Sequence, residues 1–157
     1  MSKAPPALGP RAETALTYWQ ELRQGRRLPA RADLDPTAIP KLLTGVLLVD
    51  VLRNPLDFRY RLVGSDIDSI SHRNFRGVSF SEILHMRRGN RLWAQYEEVA
   101  ETGRPLWSEV PYVGADPFIR RMLHCLMPLA ADGVTVDMIF AVVDIERMAV
   151  EIGRAHV

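Results

Sequence analysis

Residues 46–65 read VLLVDVLRNPLDFRYRLVGS, and their two halves carry different signals. Val46–Leu52 is a short apolar run rich in β-branched residues and bounded by turn formers, the pattern of a buried strand. Asn54, Pro55, Leu56 and Asp57 are turn material. Beyond them Phe58, Tyr60 and Leu62 alternate with Arg59, Arg61 and Val63, the period of two that marks a strand with one face in a core. Two strands joined by a short turn predict an antiparallel hairpin that stops at Gly64.

The chain beyond this hairpin decides the fold class. From Gly64 to Gly89 the periodicity is mixed and Ser65, Asp66, Ser69, Ser71, Ser79 and Ser81 offer helix caps, so short helices and loops are predicted there. Residues 81–86 suit a helix of one or two turns. Residues 91–102 form a clear amphipathic helix, with Leu92, Trp93, Tyr96, Val99 and Ala100 in its stripe and Gly103 as its stop. Three strand-like runs complete the chain, at 106–113, 119–129 and 136–145, with Ala131, Asp132 and Gly133 turning into the last. Helices lying between two groups of strands, rather than alternating with them, predict an α+β fold and not a doubly wound sheet.

Upstream, Ala15, Leu16, Trp19 and Leu22 recur at spacings of three and four and predict an amphipathic helix from Glu13 to Gln24. Its stripe packs on its own domain or on a second copy, so Leu16, Trp19 and Leu22 are candidate dimer-interface residues. Asp35 before Pro36 suits a cap and first position of a short helical turn, which Pro40 limits and Gly45 ends. Residues 1–11, with three prolines and a glycine, read as a flexible segment. Residues 12–146 make the domain, and 147–157 a weakly helical or frayed tail.

Totals narrow the function classes. The 157 residues suit a single domain, and 47% hydrophobic with 25% charged residues is ordinary globular composition. A net charge of +1 supplies no field to recruit nucleic acid, and the arginine pairs at 26–27, 87–88 and 120–121 are scattered. Lys3 and Lys41 are the only lysines, a bias that codon usage in a GC-rich genome explains. Apolar runs fall far short of the roughly 20 residues a membrane span needs. With no signal-peptide pattern and with Cys125 as sole cysteine, a cytoplasmic location is expected.

No catalytic constellation is legible. His72, His85, His124 and His156 lie outside any metal-binding, phosphate-binding or nucleophile motif, and no enzymatic activity is expected. The strand at 119–129 puts Met122, His124 and Leu126 on one face, and Leu123, Cys125 and Met127 on the other. Both faces are apolar, as needed where one covers helices and the other meets a flanking helix or a partner.

Several segments together resemble a bacterial, stand-alone PAS-like sensory domain family. LPARADLDPTAIPKLL at 28–43 is similar to its entry motif, and Asp50-Val51 and FRYRLVGS at 58–65 to its first two strands. GVSFSEIL at 77–84 resembles the entry to its short helices. TGRP at 102–105, MPLAADG at 127–133 and VDM at 136–138 resemble its closing strands. The resemblance spans residues 14–146.

That resemblance implies a five-stranded antiparallel sheet with short helices on one face and an N-terminal flanking helix. It also implies a non-catalytic sensory or signalling role, through a small molecule, dimerisation or a partner protein. The alternative is a ligand-free protein-interaction module. Expected partners are a second copy of the chain, a signalling protein and a small molecule, with no nucleic acid and no membrane. Candidate ligand-binding residues are Phe75, Phe80, Trp93, Tyr96, Tyr112 and His124. Cofactor identity stays open and none tightly bound is expected. Haem would look to His72 or His85, but both lie in polar, arginine-rich segments, and the cysteine a flavin photosensor needs is missing. No metal site is expected.

Overall fold

A computed structural model describes residues 8–114 and 116–148. Residues 1–7 of the expected flexible segment, residues 149–157 of the expected tail, and His156 lie outside the described residues. Helix α1 spans Pro10–Arg23, and strands β1 (Val46–Leu52) and β2 (Asp57–Val63) form the expected hairpin. Helix α2 (Ser65–Ile70), 3₁₀ turns at Phe80–Glu82 and Leu84–Met86, and helix α3 (Arg91–Thr102) come next. Strands β3 (Leu106–Val110), β4 (Ile119–Leu129) and β5 (Met138–Arg147) end the domain. The five strands form one antiparallel sheet in the order β2-β1-β5-β4-β3, an α+β fold.

This order puts the first and last strands side by side in the centre, where burial is deepest. Val49, Ile139, Phe140, Ala141 and Val142 are all fully buried. Pairing sets which side chains share a face: Leu47 lies opposite Ala141, His124 opposite Val143, and Ser108 opposite His124. Those residues face α2 and α3. Cys125, Met127, Phe140, Val142 and Asp144 face the other way, toward α1.

Two glycines are fixed by geometry. A Cβ on Gly64 would lie 2.4 Å from the Thr44 carbonyl oxygen and 2.9 Å from that of Val46, so the β2–α2 turn closes only without a side chain. Gly103 ends α3 at φ 67, the left-handed region, and its N–H donates to the Val99 carbonyl at 3.0 Å.

The first helix starts three residues earlier than its hydrophobic pattern suggests. Pro10 needs no N–H at a first helical position, and the Asp144 carboxylate on β5 accepts from the N–H groups of Arg11 and Ala12, both at 3.0 Å. Trp19 is only 2% exposed and its Nε1 donates to the Pro128 carbonyl at 2.8 Å. Of the two placements open to its stripe, the indole thus takes the one on the chain's own sheet. Leu16 and Leu22 remain half-buried on α1.

The entry segment is tied to the far hairpin. Ala130 N–H donates to the Pro29 carbonyl at 2.9 Å, and Leu28 is buried beside it. Asp35 caps its 3₁₀ turn by accepting from Thr37 N–H at 3.0 Å. β3 ends at Val110 rather than Val113, because Tyr112 turns away to donate its hydroxyl to the Ile70 carbonyl.

Phe58 on β2 sits within 5.0–5.6 Å, centroid to centroid, of Phe80, Trp93 and Tyr96, and so joins the sheet to both the short turns and α3. We expect Phe58→Ala to cost about 3–5 kcal/mol in urea denaturation. Leu84→Ala, at a side chain 74% exposed, should stay within about 0.5 kcal/mol of wild type.

Candidate functional site

Beyond the aromatic cluster, α3 and the sheet separate and enclose a cavity of about 260 Å³. Ile67 and Ile70 of α2, Leu92 of α3, and Leu47, Val110 and Met122 of the sheet supply much of its apolar wall. Of the six residues expected to bind a ligand, Phe75, Tyr96, Tyr112 and His124 line this space. Phe80 and Trp93 do not. Phe80 is fully buried against Phe58, Tyr60 and Tyr96, and Trp93 packs edge-on against Phe58, on the side of α3 turned from the cavity.

Its polar wall is built by strand pairing and helix spacing together. His124 and Gln95 line the cavity, and Ser108, the cross-strand partner of His124, backs them from outside the lining. His124 Nε2 lies 2.8 Å from Gln95 Oε1 and 3.0 Å from Ser108 Oγ, while Ser108 Oγ donates to Gln95 Oε1 at 3.1 Å. Gln95 was not legible as a site residue. It lies one helical turn beyond Arg91 on α3, and that i, i+4 polar pair beside Tyr96 was the available signal.

Two further polar atoms face open volume. His124 is 4% exposed and Tyr96 1%, yet His124 Nδ1 and Tyr96 Oη take no hydrogen bond among the described residues. Trp93 Nε1 is the one partnerless side-chain donor fully sealed off among them, so the other two atoms open on the cavity their residues line. Tyr60 differs, donating its hydroxyl to Met86 Sδ at 3.4 Å. Burial raises both tyrosine pKa values, so these groups act as neutral phenols.

Burial, reinforced by the positive field of Arg91, lowers His124 to about 3 and keeps the ring neutral. His85 also lines the cavity and is lowered by burial and by its neighbour His72, which is exposed. Cys125 is buried on the α1 side, and its thiol is pushed up to about 12 by burial and by Asp144, which suits an unreactive structural residue. Among the described residues no three His, Cys, Asp or Glu side chains are grouped to hold a metal, and no helix is long and apolar enough to cross a membrane.

The arrangement offers hydrogen-bonding groups. Around His124 they are a neutral imidazole, an amide and a serine hydroxyl, and among the described residues no carboxylate hydrogen-bonds the imidazole.

The lowered His124 has a measurable consequence. An unfolded imidazole gains its proton near pH 6.5, whereas the folded one does so at about 3. The unfolded state therefore binds more protons in between, and stability is lost as pH drops through that window, by up to about 1.4 kcal/mol per unit. We expect wild type to lose more stability than His124→Gln between about pH 7 and about pH 5 in chemical denaturation. Equal losses would contradict a neutral, buried ring.

The family model described as PAS domain matches residues 9–143, from the start of α1 to the middle of β5. A comparison with curated proteins finds no match. PAS domains are in general non-catalytic sensory or signalling modules. With a match over most of its length, and with a five-stranded sheet that carries its short helices on one face, this chain belongs to the PAS domain family.

Proposed function

We propose that this PAS domain senses a small molecule held in the cavity between α2, α3 and the sheet. The observation that carries this reading is a largely apolar space lined by His124 and Tyr96, whose Nδ1 and Oη take no hydrogen bond among the described residues. A hydrogen bond from a ligand with matching groups contributes about 0.5–1.5 kcal/mol net. Apolar walls with a few convergent polar atoms are the usual make-up of a small-molecule site.

A route out of the cavity supports the sensory part. Ile67 and Ile70 of α2 line the space, while Asp66 on the same helix pairs with Arg11 of α1 at 2.8 Å. Thr44 joins them, donating to Asp66 at 2.9 Å and accepting from Arg11 at 3.3 Å. The Arg11 contact holds Asp66 below the usual carboxylate range. A ligand that binds one position of α2 better than another would thereby bias α1 on the opposite side of the sheet.

Indole, a compact apolar ring with one donor, is the probe for the site. In ¹H–¹⁵N NMR we expect saturable shifts at Ile67, Ile70, Leu92, Tyr96, Val110 and His124. Shifts scattered over the surface, or none that saturate, would count against a binding cavity.

A second reading, signalling by self-association, is favoured by the half-buried Leu16 and Leu22 of α1 and by the exposed Leu43 and Leu62. It gives a homodimer in sedimentation equilibrium. A monomer at high micromolar concentration would remove it, and the ligand-free interaction module would then need a different protein as partner.

A further inference from the structure

The charges around the cavity mouth are unbalanced. Arg91 and Glu109 are the charged residues that line it, apart from the neutral-leaning His85. Glu109 is engaged by Arg121 at 3.4 Å. Arg91 is exposed and makes no ion pair among the described residues. A second cation stands nearby: the Arg73 guanidinium lies 5.8 Å from the ring centroid of Phe75, a cavity residue. Arg91 also precedes Gln95 by one turn, and its field reaches His124. The lining therefore combines an exposed guanidinium and a paired carboxylate with apolar side chains and neutral hydrogen-bonding groups.

Building on the small-molecule reading, we propose that the ligand is a small amphipathic monocarboxylate whose acid group meets Arg91. A planar guanidinium binds a carboxylate through two parallel hydrogen bonds, and Arg91 is in no ion pair among the described residues. The apolar body lies against Ile67, Leu92, Val110 and Met122, with its far end near Tyr96 and His124. Size sets the scale. A cavity of about 150 Å³ takes benzene, so this one suits a body of about ten non-hydrogen atoms. A dicarboxylate fits less well, because the inner polar groups are uncharged and His124 resists protonation.

The test uses 3-phenylpropanoate and octanoate, each beside its primary amide, by isothermal titration calorimetry on the full chain. The amides keep the body and lose the charge. We expect each acid to bind at least tenfold tighter than its amide. Arg91→Gln should abolish that preference and leave amide affinity within about twofold of wild type. Arg104→Gln, an exposed arginine outside the cavity lining, should change neither. Acids and amides binding equally well, or an acid preference that survives in Arg91→Gln, would overturn the assignment of charge and leave the binding cavity standing. Saturable binding by none of the four probes would overturn the assignment and the small-molecule reading together.

Discussion

Phe58 meets Phe80, Trp93 and Tyr96 at once, with centroid separations of 5.4, 5.0 and 5.6 Å, and this cluster joins the sheet to its helical face. Tilted and edge-on aromatic pairs add roughly 0.5–1.5 kcal/mol each beyond the area they bury. Their larger effect is geometric. Trp93 and Tyr96 are three residues apart on α3, so fixing both rings fixes the rotation of the helix. Leu92 and Gln95 are then presented to the space between the helices and the sheet. The cavity results from packing that is tight on one face of α3 and open on another.

The opposite face of the sheet obeys a different constraint. Helix α1 lacks a side-chain cap of its own, and β5 supplies one through Asp144. Trp19 then anchors the helix to the β4–β5 hairpin through the Pro128 carbonyl. Arg11, in the first turn, is consequently placed where it spans α1, Thr44 and α2. A helix on one face and a cavity on the other are linked around the edge of the sheet by a few charged and polar groups, rather than through its packed interior.

Much of the fold was legible because local and global signals agree. β4 begins and ends where its pattern does, at Ile119 and Leu129, and α3 likewise runs from Arg91 to Thr102. Disagreements arise where a tertiary contact sets the boundary. Pro10 joins α1 because Asp144 caps it, and β3 stops short because Tyr112 is drawn to Ile70. The site was less legible for a related reason. An aromatic side chain reads alike whether it fills a core or lines a cavity, so Phe80 and Trp93 could not be told from Phe75 and Tyr96. Gln95 and Ser108 gain meaning only when strand pairing brings them to His124.

We propose the space beside His124 and Tyr96 as a ligand site. Native mass spectrometry with an absorption spectrum, on protein purified without added ligand and then exposed to the metabolite extract of its host, tests it most directly. We predict a bound species under about 300 Da that is lost when Val110→Trp fills the cavity. A protein that stays at its apo mass in every extract, with wild type and Val110→Trp indistinguishable, would contradict it.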